Sequence, residues 1–241
     1  MAEYQKFHRA SSHTRERLFL TPRTAARGPA PELRKDYQAE AIRLPPVEPR
    51  GMSLEEAIRR RRSIREYSRE PISLEELARL LFYGVGVTGP AEYKRAAPTA
   101  GGLTPIELYP VVNNVVGLDR GLYHYDPLEH HLHLLKRADL RREIARACLE
   151  QDFLADAAAV IVLTAVHRRT AWKYGERAYR YILLDAGHAA ENIQLEATAL
   201  GLGSCPIGAF FDDELNRLLG LEGEEQLALL AVAVGRWRAS W

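Results

Sequence analysis

Four consecutive arginines followed by Ser-Ile-Arg, residues 59–65, concentrate more positive charge than a helix end requires. Arg59 to Arg62 close a short helix, where cations complement the macrodipole and several face water. Beyond it the chain reads as extended, so Ser63 and Arg65, two apart, point the same way and can converge with Arg61 or Arg62 on one anion. Guanidinium forks and a hydroxyl suit a phosphate monoester, which offers acceptor oxygens and close to two negative charges. Two further stretches carry small residues. In APTAGGLTP, residues 97–105, glycines and the Thr99 hydroxyl either admit a flat ligand close to the backbone or simply connect to a strand. In GLGSCPIGAFFD, residues 201–212, Pro206 fixes a turn while Gly208 and Ala209 can present amides, unless the stretch is only a helix cap and a turn.

The remaining polar candidates read as structural. His130, His131 and His133 include an alternating pair without an acidic or cysteine partner at metal-ligand spacing, which predicts a solvated hairpin and no metal site. His188 lies among apolar residues and is expected to be buried and hydrogen-bonded; Asp185 and Glu191 are assigned no chemical role. Cys148 and Cys205 read as small buried hydrophobes.

The elements that must position these residues follow from periodicity. Residues 1–50 mix charge with prolines and read as an arm and wrapping segment before a single domain spanning 51–241. Ser53 with Glu56, and Ser73 with Glu76, read as capping boxes. They open two short helices with the stripes Leu54, Ala57, Ile58 and Leu74, Leu77, Leu80, Leu81. Residues 84–105 are too rich in glycine and proline for regular structure, and so long a mid-chain loop points to function. IELYPVV, GLYHYDP and HHLHLL form an antiparallel meander in which Tyr123 and Tyr125 pack normally, and AAVIVLTAV is a central strand. Residues 175–200 make the longest helix, with Ala178, Ile182, Ala186, Ala189, Ile193, Ala197 and Leu200 on one face. DDELNRLLG and LALLAVAVG complete an α+β order as a helix and a final strand.

Composition removes whole classes of function. With 33 Lys+Arg against 32 Asp+Glu in 241 residues, the net charge of +1 gives no global field for nucleic acid, so the arginine run acts locally. No membrane-span-length apolar run or signal-peptide core occurs, which predicts a cytoplasmic protein.

The three stretches also occur in a telling order: the Arg-Ser cluster after the first core helix, P-T-A-G-G before the first strand, G-L-G-x-x-P-I-G after the long helix. Together they resemble the nitroreductase superfamily of FMN-dependent enzymes, from about Ser53 to Gly235. That resemblance implies an α+β nitroreductase-like fold, a central, mostly antiparallel sheet flanked by helices, in an obligate homodimer. It assigns the FMN phosphate to Arg61, Arg62, Ser63 and Arg65, with Arg236 as a second basic contact. It lays Pro98, Thr99, Ala100 and Gly101 along the flavin across the subunit interface. It puts Pro206, Ile207, Gly208 and Ala209 at the ring edge near N5.

FHRASSHTRERLF, GLYHYDPLEHHLHLL, WKYGERAYRYILLDAGHAAENIQL and LGLGSCPIG are similar to the SagB-type branch, the azoline dehydrogenases of thiazole- and oxazole-modified peptides. In that branch a Lys-Tyr pair carries catalysis, which falls on Lys173 and Tyr174. Aromatising an azoline needs a base for the α-proton while hydride passes to the flavin. A lysine becomes such a base only when desolvation or cationic neighbours lower its ordinary pKa of roughly 10.4. The resemblance implies a peptide substrate and a cyclodehydratase partner. The alternatives it leaves are an NAD(P)H-dependent reductase of small electrophiles and a flavin-binding scaffold without turnover.

Overall fold

A computed structural model describes residues 2–13, 29–49, 51–221 and 225–237. The remainder of the 1–50 arm, including the second half of FHRASSHTRERLF from Thr14 on, and the last residues of the tail lie outside the described residues. The arm contributes helix α1 (Glu3–Ala10) and strand β1 (Glu40–Arg43). Helix α2 (Leu54–Arg60) starts where the Ser53 hydroxyl accepts from the Glu56 amide, but only half the expected capping box forms. The Glu56 carboxylate turns instead to Arg59 and Arg60. At α3 (Leu74–Val85) Ser73 and Glu76 close the full reciprocal box. The meander follows as β2 (Ile106–Val112), β3 (Gly121–Asp126) and β4 (His131–Arg137). Short helices α4 (Arg141–Ala147) and α5 (Phe153–Asp156) lead into β5 (Ala159–Val166). Helix α6 (His167–Tyr174) precedes the long α7 (Ala178–Ala199), then come β6 (Gly203–Ile207), α8 (Asp212–Leu218) and β7 (Gln226–Gly235).

The strands form one sheet in the order β1-β4-β3-β2-β5-β7-β6, with every ladder between them antiparallel. The uninterrupted apolar run of β5 is explained by cover on both faces. Ala159, Ile161 and Leu163 belong to the core under α3 and α7, while Val160 and Val162 belong to the core under α4 and α8. Each such fully buried branched side chain contributes about 1.5–3 kcal/mol. The predicted stripe of α7 is buried from Ala178 through Ala197.

Three expectations are corrected. Residues 203–207 are not a cap and turn but an edge strand, a position that tolerates Pro206 because its missing N–H faces away from the ladder. Leu54 and Ile58 are 61% and 57% exposed, so only Ala57 of that stripe reaches the core. Two of the three β3–β4 histidines are not left to solvent: His130, half-buried, donates from Nε2 to the Pro45 carbonyl at 2.9 Å, leaving Nδ1 to accept from the Tyr125 hydroxyl at 2.8 Å. His133 is buried beside His124.

Burial holds both His130 and His133 below the ordinary histidine value, so the native state keeps them neutral. The unfolded chain then binds more protons as pH falls through about 6.5, and stability is lost in that direction. Thermal midpoints measured between pH 8 and 5.5 are expected to fall on the acid side, and His130→Gln to flatten that slope. A wild-type midpoint independent of pH across that range would refute the account.

Candidate active site

Segment 61–68 leaves α2 and runs beside β6. Ser63 bridges Ser204, the Ile64 amide donates to the Ser204 carbonyl at 2.8 Å, and the Ser68 amide donates to the Arg236 carbonyl at 2.9 Å. Gly203 permits this approach, since a Cβ there would meet Ile64 Cγ2 at 2.9 Å. Because Ile64 turns to Gly203, its neighbours Ser63 and Arg65 turn outward, and both are exposed.

The arginines then separate by role. Arg59 and Arg60 pair with Glu56. Arg62 Nη1 folds back onto the carbonyls of Arg59 and Arg61, at 3.0 and 2.7 Å, and caps the helix end. Arg61 has only a loose contact, 3.8 Å, with Glu191 of α7. Arg65 makes no ion pair among the described residues, and its charge reaches Cys205, where it opposes the upward push of burial on the thiol. Arg236 is already engaged, its Nη2 lying 2.9 Å from the Glu76 carboxylate. Arg61, Ser63 and Arg65 therefore form the open cationic edge. It runs along the strand that ends in Pro206–Ile207, ahead of the exposed Gly208–Ala209 turn, where a Cβ on Gly208 would meet nothing within 4 Å. A dianionic phosphate fits that edge by charge and by donor type.

The second group of candidates gathers at the end of α6. Gly101 and Gly102 adopt φ of 65° and 71° at the apex of the 98–104 loop. A Cβ on Gly101 would lie 2.6 Å from Tyr174 Oη and 3.1 Å from Lys173 Nζ, so a glycine is required for this close approach. Lys173 and Tyr174 are the last residues of α6; Lys173 is exposed, and the Tyr174 ring meets Tyr181 edge-on with centroids 5.0 Å apart.

Helix α6 has a polar sequence and is held from below. Arg169, 2% exposed, donates from Nη1 to the Thr104 carbonyl at 3.0 Å and to Glu107 at 2.5 Å, and from Nε to the Glu32 carbonyl at 2.8 Å. Glu107 also holds His124 Nε2 at 2.7 Å. Burial pushes the Glu107 carboxyl up, but His124 and Arg169 outweigh it and keep the group below the ordinary range. Nothing local in HRRTAWKY marks Arg169 as buried. Asp185, by contrast, carried a signal, sitting three residues after Ile182 and four before Ala189 on the apolar face of α7. It is buried, whereas His188, expected inside, is exposed.

The two groups sit at different corners of the sheet. Ser63 lies by Ser204, level with Val234 and Ala159, whereas the 98–104 loop enters the sheet at Pro105, level with Val166. Seven residues along β5 are about 23 Å, and three strand spacings about 14 Å, so these backbone anchors are about 27 Å apart. On the outer surfaces of α2 and α7, Leu54, Ile58, Leu183 and Leu184 remain uncovered at 61, 57, 42 and 55% exposure.

Comparison with known proteins agrees with this fold. The profile of the nitroreductase family matches residues 58–236. A protein of Methanocaldococcus jannaschii, provisionally named a nitroreductase, is 39% identical over 195 residues, covering 81% of this chain and 96% of its own. The trifolitoxin-processing protein TfxB of Rhizobium leguminosarum bv. trifolii is 27% identical over 177 residues, 68% of this chain; the match spans 48% of that longer protein. A chain of the E. coli microcin synthetase McbBCD complex, solved with truncated pro-MccB17 bound, shares the fold. Its TM-score is 0.65 at 19% identity, covering 98% of this chain and 92% of that one.

Proposed function

Since the chain belongs to the nitroreductase family of oxidoreductases, we propose that it is an FMN-dependent, SagB-type dehydrogenase that oxidises azoline rings of a modified peptide to azoles. The observation that carries this reading is the contact of Lys173 and Tyr174 with the Gly101 loop, a base and a hydroxyl donor facing the backbone that would line the flavin. Relatedness to a toxin-processing protein supports a peptide substrate, and the fold shared with a microcin synthetase chain supports a cyclodehydratase partner.

FMN, when bound, supplies the hydride acceptor at its ring. Arg61, Ser63 and Arg65 would hold its phosphate, with Arg62 and Arg236 tied into the helix ends beside them. Pro206 and Ile207 would present the Gly208 and Ala209 amides to the flavin, and Pro98, Thr99, Ala100 and Gly101 would line it. Lys173 would remove the α-proton and Tyr174 would donate to the ring heteroatom, so that the azoline loses one hydride and one proton. With the two groups of residues anchored about 27 Å apart along one sheet, a second copy docked on the uncovered leucines and Ile58 of α2 and α7 completes each site, as a homodimer.

The nitroreductase naming of the Methanocaldococcus relative favours a second reading, reduction of small electrophiles by NAD(P)H. Anaerobic mixing decides between them. Bleaching of the flavin band by a thiazoline-containing peptide, with none by NADPH, is the expected result. Bleaching by NADPH alone selects the reductase, and failure to take up FMN removes both readings.

A further inference from the structure

We propose that Asp185 is the positioning residue of this site, holding the 99–102 loop against Lys173 and Tyr174 while touching no reactant. The proposal rests on the roles given above to that pair. Asp185 projects inward from α7, 6% exposed. Its Oδ2 accepts from the Thr99 hydroxyl at 3.0 Å and from the Ala100 amide at 3.1 Å. The Thr99 hydroxyl in turn accepts from the Thr104 amide at 3.0 Å, so one carboxylate fixes both limbs of the loop. The other hydrogen bonds of the apex are internal: the Gly102 amide to Thr99 at 3.2 Å and the Leu103 amide to Ala100 at 3.4 Å. Asp185 thus ties the apex to the helix layer, and the apex is what meets Tyr174 Oη and Lys173 Nζ.

The energetics argue for placement over stability. Burial raises the Asp185 carboxyl above its ordinary value, partly offset by the Ala100 amide, the Thr99 hydroxyl and His188. The native state therefore binds this proton more tightly than the unfolded chain, and stability falls as pH rises through the raised value. The charged and titratable groups facing Asp185 are His188 on its own helix, Arg95 across a shared cavity, and Lys173 with Tyr174 beyond the loop. As a carboxylate above that raised value, Asp185 costs the fold stability while its two acceptor bonds order the loop, a combination found at functional sites. The cavity beneath, about 20 Å³ and lined by Arg95, Thr104, Pro105 and Ala189, gives the loop room to sag once those bonds are lost.

Two variants test this in the FMN-loaded protein: Asp185→Ala, and Thr99→Val, which removes the hydroxyl limb and leaves the carboxylate. Amide hydrogen exchange of residues 99–104 is expected to rise at least about tenfold in both, with strands β5 and β7 unchanged. The rate of anaerobic flavin reduction by a thiazoline peptide is expected to fall up to about a hundredfold, with the half-saturating peptide concentration nearly constant. Asp185→Asn, which keeps one acceptor, should fall between wild type and Asp185→Ala. Loop exchange equal to wild type would overturn the proposal, as would faster exchange with an unchanged reduction rate, or loss that merely follows the unfolded fraction seen by melting. If the wild-type flavin is not reduced by the peptide, the proposed reaction fails, yet the exchange measurement still decides whether Asp185 holds the loop.

Discussion

Lys173→Ala is expected to slow azoline oxidation by about a hundred- to ten-thousand-fold, the usual weight of a positioned general base, while flavin binding is retained. The separation of effects follows from position. Lys173 is exposed at the end of α6, so removing it opens no cavity in the core, and it is not part of the cationic edge along β6. Its amine lies 5.4 Å from the Tyr174 ring centroid, within cation–π range, so the pair shares one orientation. Tyr174→Phe keeps the ring, its edge-on contact with Tyr181 and that orientation, and loses only the hydroxyl. A smaller loss is expected, confined to the rate and absent from peptide affinity. Single-turnover flavin reduction under anaerobic conditions measures both variants. A Lys173→Ala enzyme that reduces its flavin at the wild-type rate would leave the base unassigned.

The largest effect on stability is expected from Glu107→Gln. Glu107 neutralises Arg169 and bonds His124 at a depth where all three are nearly inaccessible, and removing it leaves a buried guanidinium without its counter-charge. The cost is about 3–5 kcal/mol, or roughly 6–20 °C in Tm for a domain of this size. Replacing both charges together, Glu107→Leu with Arg169→Met, is expected to cost less than the sum of the single changes, because no orphan charge remains. Strict additivity of the three melts would show that the pair acts as two independent groups. Because Arg169 also bonds the Thr104 and Glu32 carbonyls, the single variant should loosen α6 and the 29–37 segment together.

Much of this architecture was legible locally, and the reasons differ by element. Helix α7 announces itself through small and branched apolar residues at helical spacing, and α3 through a capping box that forms as written. Strand β5 was visible as an apolar run, although an all-apolar strand reports only that both faces are covered, not which way its neighbours run. The three stretches that carry the family resemblance were visible because backbone approach and anion binding demand glycine, proline and arginine by type. What escaped depends on partners distant in sequence. Strand β6 owes its conformation to pairing with β7, since Gly203 and Pro206 have no strand preference of their own. Helix α6 owes its anchorage to Glu107, some sixty positions earlier in the chain. His130 is drawn inside by the Pro45 carbonyl and the Tyr125 hydroxyl, neither of which its neighbours foretell. Leu54 and Ile58 show the converse, an apolar pattern that the single chain leaves unburied.

The distance between the two anchor points has a genetic consequence if each flavin is served by both copies. A chain defective in its cationic edge and a chain defective in Lys173 damage different halves of the same site. When the two are expressed together, half the dimers are mixed, and each mixed dimer carries one site built wholly from sound halves and one built from both broken ones. Two inactive alleles would then restore each other's function, up to about a quarter of all sites.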